Sequence, residues 1–191
     1  MEIRSFLAFE LPVDIKKTVV RALGEIGHSG LDARWVKAEN IHLTVVFLGN
    51  IKTEDIEGIK EEVRNVCPEY GSFDIALKGV GCFPNKRRPR VLWLGLDGDI
   101  ERMSHFRGDL QRVLKGFGIK EEKRPFRPHL TLGRFRSTRK IGSRLEEILL
   151  KYAALESPAE TLSELYLFKS DLKPGGTVYT KLESWPLSGD K

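Results

Sequence analysis

Hydrophobic residues recur at helical spacing in four segments of the chain, and between these segments apolar and polar residues alternate as they do in strands. The predicted helices span 14–26, 53–66, 100–114 and 145–152, with Thr53 as the cap of the second. The predicted strands cover 4–11, 41–49, 72–81, 90–96, 128–136, 160–168 and 177–184. Because helices and strands mix without the strict alternation of a parallel sheet, the pattern predicts an α+β fold with two antiparallel sheets.

An internal repeat relates the two halves of the chain. Its most similar segments are IHLTVVFLG at 41–49 and PHLTLGRFR at 128–136. Strand-like segments that begin at Arg4 and Arg90 precede these two segments at nearly equal distances. Strand-like segments that end at Phe83 and Phe168 follow them, again at nearly equal distances. Agreement both upstream and downstream indicates a repeat that covers most of the chain.

The repeat predicts one bilobal domain over 1–191 that is built from an internal duplication, with halves at roughly 1–85 and 86–191. Each half contains the elements of an antiparallel sheet with two helices. We expect two similar lobes that are related by a pseudo-twofold axis, with a central cleft between them.

Each half contains a His-x-Thr motif within a predicted strand: His42 with Thr44, and His129 with Thr131. Successive side chains of a strand point to opposite faces, so each histidine shares a face with its threonine. The aliphatic residues between them face the other side, where a core would form. If the lobes are related by a pseudo-twofold axis, both His-Thr pairs face one cleft.

Two histidines in one cleft suit an in-line displacement at phosphorus. The attacking and leaving oxygens lie on opposite sides of the phosphorus, so the reaction needs a base on one side and an acid on the other. Imidazoles have an ordinary pKa of about 6.5 and serve in both roles near neutral pH. Threonine hydroxyls and backbone amides can donate to the non-bridging oxygens, where negative charge builds up. For a strained 2',3'-cyclic phosphate, this apparatus is sufficient.

No metal ion and no cofactor are expected. A zinc site at the paired histidines would need a third Cys, Asp or Glu ligand, and the sequence places none nearby. The chain also lacks a nucleotide-binding loop of the G-x-x-x-x-G-K-[ST] type, and neither motif has a carboxylate cluster nearby that would hold magnesium. The sequence therefore favours metal-independent acid-base catalysis.

The chain carries an excess of positive charge. Its net charge of +5 and its pI near 9.2 indicate an anionic partner, with nucleic acid as one candidate. One basic cluster comprises Lys86, Arg87, Arg88 and Arg90. A second brackets His129 and comprises Lys120, Lys123, Arg124, Arg127, Arg134, Arg136, Arg139 and Lys140. A solvated surface is the alternative interpretation of both clusters.

The chain contains no apolar run of the roughly 18 residues that a membrane-spanning helix needs. Its first residues also lack the layout of a secretory signal. Cys67 and Cys82 have no metal-ligand spacing and are expected as reduced, buried thiols. We therefore expect a cytoplasmic monomer without a membrane partner.

Four segments carry a resemblance to a known family: RSFLAFELP, RWVKAENIHLTVVFLG, GCFPNKRRPRVLWLGL and FRPHLTLGRFR. With them the chain resembles the 2H phosphoesterase superfamily, and within it the RNA 2',3'-cyclic phosphodiesterases that are also called 2'-5' RNA ligases. The resemblance implies hydrolysis of a terminal 2',3'-cyclic phosphate of RNA to a 2'-phosphomonoester, with tRNA halves among the candidate substrates. It also implies His42 as proton donor, His129 as proton acceptor, and reversible 2'-5' ligation without ATP. The residues alone leave open which histidine is the acid.

Phe47 and Arg134 occupy equivalent places in the repeat, each five residues after its histidine. A base can stack on the phenylalanine while the guanidinium contacts a base or a phosphate. Their odd offset turns them away from the cleft unless a bulge restores them, so a core Phe and a surface Arg are the alternative. Arg127 and Arg90 are further candidates for contacts with substrate phosphates.

Two other functions remain open. One is a different enzyme of the same superfamily, which acts on 2',5'-linked oligonucleotides or on ADP-ribose 1'',2''-cyclic phosphate. The other is a non-catalytic RNA-binding module, although intact His and Thr residues in both motifs count against it.

Overall fold

A computed structural model of the chain describes residues 1–137, 141–174 and 176–191. Its strands are β1 (Glu2–Phe9), β2 (Ala33–Trp35), β3 (Leu43–Lys52), β4 (Phe73–Phe83), β5 (Val91–Gly98), β6 (His129–Phe135), β7 (Glu160–Leu162), β8 (Glu164–Lys173) and β9 (Gly176–Pro186). Its helices are α1 (Val13–Gly27), α2 (Ile56–Val66), α3 (Ile100–Leu114) and α4 (Gly142–Lys151).

The strands form two antiparallel sheets, which confirms the predicted α+β class. The first sheet has the order β3-β1-β8-β9, and the second has the order β2-β6-β5-β4-β7. The short strand β2 was not predicted, because three residues are too few to show the alternation of a strand. The single strand predicted over 160–168 is divided at Ser163 into β7 and β8. β2 and β7 pair at the margins of the second sheet.

Each half of the chain supplies strands to both sheets. β8, from the second half, pairs with β1, and β4, from the first half, pairs with β5. The two exchanged strands have matching registers, since Phe168 lies opposite Phe6 and Phe83 lies opposite Val91. The sheets therefore do not coincide with the sequence halves, and the predicted division after residue 85 falls between two paired strands, β4 and β5.

The two faces of β1 enter different apolar clusters. Leu7 and Phe9 are fully buried in the main core, which also contains the apolar faces of all four helices. Phe6 and Ala8, on the opposite face, pack with Phe168 in a second, smaller cluster. The first sheet is thus covered by the core on one side and presents an aromatic surface on the other.

The second helix begins differently from the prediction. The cap predicted at Thr53 is wrong, because the Thr53 hydroxyl donates to the backbone carbonyl of Met1 and a 3-10 turn over Thr53–Asp55 precedes the helix. The helical periodicity itself is confirmed by the burial of Ile59 and Val63. Among the described residues, no helix has both the length and the apolar character that crossing a membrane requires.

The buried side chains of the two motif strands contribute to the stability of the fold. We expect Leu130→Ala, in the middle of the second motif, to lower the free energy of unfolding by about 2–5 kcal/mol, since this side chain is fully buried. Leu150→Ala is the matched control, because Leu150 is 78% exposed and should change stability by no more than about 0.5 kcal/mol. Denaturant unfolding of both variants measures the difference, and equal losses would contradict this assignment of the core.

Candidate active site

The two His-x-Thr motifs lie on strands that meet where the two sheets approach each other. His42 immediately precedes β3, which is an edge strand of the first sheet, and His129 begins β6 of the second sheet. β3 and β6 are in contact with each other. The hydroxyls of Thr44 and Thr131 have no hydrogen-bond partner among the described residues, so both are available to a ligand.

Both imidazoles are held by the same kind of hydrogen bond. The Nδ1 atom of His42 lies 2.9 Å from the backbone carbonyl of Asn40, and that of His129 lies 2.8 Å from the carbonyl of Arg127. A carbonyl oxygen only accepts, so Nδ1 carries the proton and donates it in each case. In the neutral ring Nε2 is then an acceptor, and in the imidazolium it is a donor. Each histidine therefore keeps one nitrogen for proton transfer.

The ring of His42 lies among aromatic side chains. It stacks on Phe6 with ring centroids 4.5 Å apart and an interplanar angle of 20°, and Phe168 lies 6.0 Å away. Tyr179 of β9 meets it edge-on at 5.1 Å and 87°. Burial disfavours the charged imidazolium and lowers the pKa of His42 to about 4, although the hydrogen bond to Asn40 acts in the opposite direction.

The ring of His129 has a similar but smaller aromatic surround. Phe83 meets it edge-on at 5.0 Å and 84°, and Trp93 lies 6.3 Å away. Burial lowers the pKa of His129, the bond to the Arg127 carbonyl opposes this shift, and the positive charge of Arg134 adds to it. Both histidines are therefore biased towards the neutral form when the site is empty.

The sequence prediction missed the aromatic residues around the histidines. In the sequence pattern, Phe6 and Trp93 look like ordinary residues of a strand. Their places beside His42 and His129 depend on strand pairing. Phe83 and Phe168 were recognised only as ends of repeated segments. Their equivalence in the repeat was the one signal that could have identified them as parts of the two half-sites, which are the surroundings of His42 and of His129.

A bulge in β3 places Phe47 on the same face as the first motif. Thr44 lies opposite Ala8 and Phe47 lies opposite Phe6, with Val45 left over between the pairs. The extra residue reverses the odd offset. The ring of Phe47 is 63% exposed and lies 6.2 Å from that of Phe6. Phe47 therefore extends the aromatic surface that carries His42.

An equivalent bulge in β6 does the same for Arg134. Thr131 lies opposite Trp93 and Arg134 lies opposite Val91, with Leu132 left over. Leu132 is buried in the core, while Arg134 is exposed. Arg134 is thus a surface residue, as the alternative expects, but it shares a face with Thr131.

The charge of Arg134 reaches both half-sites. It lowers the pKa of His129, and it opposes the effect of burial, which raises the pKa of Tyr179. Tyr179 in turn packs against His42. Arg4 acts on Tyr179 in the same direction as Arg134. One guanidinium is therefore within electrostatic range of the residues around both histidines.

The other predicted phosphate contacts lie at the margin of the site. The backbone carbonyl of Arg127 orients His129, and its side chain is exposed. Arg90 is exposed at the start of β5, where its backbone pairs with Phe83 and Phe135. Arg139 and Lys140 of the second basic cluster lie outside the described residues.

Potential metal ligands do not converge at the site. In the part of the chain that the structure describes, no three His, Cys, Asp or Glu side chains are grouped so that they could hold a metal ion. Cys67 is buried and Cys82 is half-buried, and both are free thiols whose pKa burial raises.

Sequence relatives cover the whole chain. The chain is 34% identical over 190 residues to an RNA 2',3'-cyclic phosphodiesterase of Methanothermobacter thermautotrophicus, a match that covers 98% of this chain and 100% of that protein. It is 31% identical over 190 residues to a protein of the same name from Aquifex aeolicus, with 98% of each chain covered.

Solved structures share the fold. A protein of Thermus thermophilus superposes with a TM-score of 0.82 at 24% identity and covers 99% of this chain and 100% of its own. Escherichia coli LigT, solved in complex with 3'-AMP, gives a TM-score of 0.78 at 24% identity and covers 98% of this chain and 99% of its own.

The model of one protein family, described as LigT-like phosphoesterase, matches the chain twice. The first match covers residues 9–93 and the second covers residues 94–179, so each includes one His-x-Thr motif. The two matches together span most of the sequence and agree with the full-length relatives. The chain therefore belongs to the LigT-like phosphoesterase family.

Proposed function

We propose that the protein hydrolyses terminal 2',3'-cyclic phosphates of RNA to 2'-phosphomonoesters by acid-base catalysis with two histidines. The observation that carries this proposal is the shared orientation of His42 and His129, each of which donates from Nδ1 to a carbonyl and keeps Nε2 for proton transfer. The names of the full-length relatives, RNA 2',3'-cyclic phosphodiesterase, support the choice of substrate.

In the proposed reaction the two histidines act on opposite sides of the phosphorus. Nε2 of neutral His129 accepts a proton from water as its oxygen bonds to phosphorus. The bond from phosphorus to the 3'-oxygen breaks, and the His42 imidazolium gives its proton to that oxygen. The products are a 2'-phosphomonoester and a free 3'-hydroxyl. The hydroxyls of Thr44 and Thr131 and the guanidinium of Arg134 stabilise the charge on the non-bridging oxygens.

The low pKa of His42 makes protonation of the acid depend on the substrate. At neutral pH the empty site favours the neutral ring, because burial lowers the pKa to about 4. A cyclic phosphate diester carries one negative charge, and an opposite charge beside a buried imidazole favours the imidazolium. Binding of the substrate therefore raises the pKa of His42, so that the ring takes up a proton from solvent and holds it for the leaving oxygen.

The same arrangement would also catalyse ligation. If the 5'-hydroxyl of a second RNA replaces water, His129 accepts its proton and the product contains a 2'-5' phosphodiester. The phosphodiester bond already present in the cyclic phosphate is exchanged for another, so ATP is not consumed.

We also propose that the site arose by internal duplication. The family model matches two successive segments, and equivalent strand pairs have the same register around both motifs. Leu43 lies opposite Phe9, and Leu130 lies opposite Leu94. Duplication accounts for an acid and a base of identical residue type in one cleft.

Removal of either imidazole tests the mechanism. We expect His42→Ala and His129→Ala each to lower kcat/KM for adenosine 2',3'-cyclic phosphate by about 10²- to 10⁴-fold, since each removes one proton-transfer group. His105→Ala, on the exposed face of α3, is the matched control and should retain activity. Circular dichroism verifies folding, and near-normal turnover by either motif variant would exclude the mechanism.

The threonines test the stabilisation of charge. We expect Thr44→Val and Thr131→Val to lower kcat by about 10²- to 10³-fold, as the loss of a donor to a developing oxyanion does. Thr→Ser at the same positions keeps the hydroxyl and should recover most of the activity. Steady-state kinetics distinguishes the two series, and similar rates for the Val and Ser variants would show that the hydroxyls do not contribute.

The depressed histidine pKa values predict the pH dependence. The pH dependence of kcat/KM reports the pKa values of the free enzyme. His42 must be protonated to act as the acid, so kcat/KM falls as pH rises. The midpoint of this alkaline limb lies below 6.5, the ordinary pKa of an imidazole. The bound substrate anion raises the pKa of His42, so the alkaline limb of kcat lies at higher pH. Profiles of kcat and of kcat/KM over about pH 4 to 9 locate the two alkaline limbs. Alkaline limbs at the same pH would contradict the expectation.

A further inference from the structure

A cavity of about 500 Å³ opens beside His42. Its walls are the turn from β1 into α1, the segment that precedes β3, and the first half of β9. Asn40 joins two of these walls, since its side-chain amide donates to the carbonyl of Thr177 at 2.8 Å. The backbone carbonyl of Asn40 also accepts from His42. The cavity and the imidazole thus share one structural support.

The charges that line the cavity leave unpaired cations. Lys181 is paired with Glu10 at 2.7 Å. Lys16 and Lys37 line the cavity as well, and neither has an ion-pair partner among the described residues. Glu39 is the other acidic residue of the lining. Lysines therefore outnumber carboxylates in the lining, and this net positive charge favours an anionic ligand.

In the part of the chain that the structure describes, no strand flanks the second half-site as β9 flanks the first. In the first sheet β9 pairs with β8 along the whole length of β8, from Glu164 to Lys173. The strand in the equivalent position of the second sheet is β7, which among the described residues pairs with β4 only over Phe73–Ile75, at the end of β4 remote from Phe83. β9 therefore makes the surroundings of the two histidines unequal, and the cavity lies on the His42 side.

The direction of the RNA chain follows from the proposed chemistry. His42 gives its proton to the 3'-oxygen of the terminal ribose, so this ribose lies on the His42 side of the phosphorus. The RNA continues from the 5'-carbon of the same ribose to the next phosphodiester. The cavity is of the size that holds a small ligand, with Phe168 and Tyr179 in its lining as apolar surfaces for a sugar or a base.

We infer that this cavity binds the RNA strand upstream of the cyclic phosphate, with Lys16 and Lys37 in contact with the phosphodiester that joins the terminal nucleotide to its neighbour. This inference rests on the proposed function and on His42 as the acid. It makes the enzyme selective for a strand end over a free cyclic mononucleotide, because only the strand end carries the upstream phosphodiester.

Two substrates that differ in this phosphodiester test the inference. The wild-type protein and a Lys16→Ala/Lys37→Ala variant are assayed on adenosine 2',3'-cyclic phosphate and on the dinucleotide ApA with a 2',3'-cyclic phosphate end. We expect the wild type to prefer the dinucleotide, and the ratio of kcat/KM values to fall about tenfold in the variant, since two charged contacts are lost. The salt dependence of kcat/KM for the dinucleotide should also weaken, because screening by salt then has fewer charged contacts to act on.

A variant with the same change of charge provides the control. Lys17→Ala/Lys52→Ala removes two exposed lysines outside the cavity, and it should leave the substrate ratio and the salt dependence unchanged. Equal kcat/KM values of the wild type for both substrates would overturn the inference, as would equal losses of the cavity variant on both. Either result leaves the proposed function intact if the wild type hydrolyses the mononucleotide. A wild type that hydrolyses neither substrate would refute the proposed function itself.

Discussion

The geometry of the site depends on the pairing of each motif strand with the first strand of its own half. In these pairs the residue after the histidine is buried and lies opposite another buried residue, Leu43 opposite Phe9 and Leu130 opposite Leu94. A slip of one residue would turn these leucines into the cleft and the His and Thr side chains into the core, at the cost of the buried apolar area. The register is therefore set by the core, and it fixes the face on which the His and Thr side chains lie.

The aromatic residues around His42 belong to the packing of the first sheet and also affect the protonation of the imidazole. Phe6 and Phe168 cover the face of the first sheet that the main core does not use, and they remove water from one side of His42. The same packing holds the ring in place and makes its charged form unfavourable. In the proposed mechanism, His42 carries its proton when the negatively charged substrate is beside it, which would couple substrate binding to protonation.

The two half-sites have the same plan but unequal surroundings. Both histidines use the same hydrogen bond, and both motif strands have a bulge at the same place, which brings Phe47 to one side and Arg134 to the other. On the His42 side, β9 adds Tyr179 and one wall of a cavity. The proposed substrate has a ribose on one side of its phosphorus and water on the other, so unequal half-sites would favour one direction of binding.

The sequence by itself determined the α+β class, the four helices, the two equivalent motifs and the sharing of a face by each His and Thr. These features depend on periodicity and on spacing within a strand, which are local properties. The tertiary structure alone decided the exchange of β4 and β8 between the sheets, the bulges at Val45 and Leu132, and the aromatic neighbours of the histidines. A strand's partners and its unpaired residues are set by contacts between segments far apart in the chain. For the same reason the cavity beside His42, whose walls come from three separate segments, has no signature in the order of the residues.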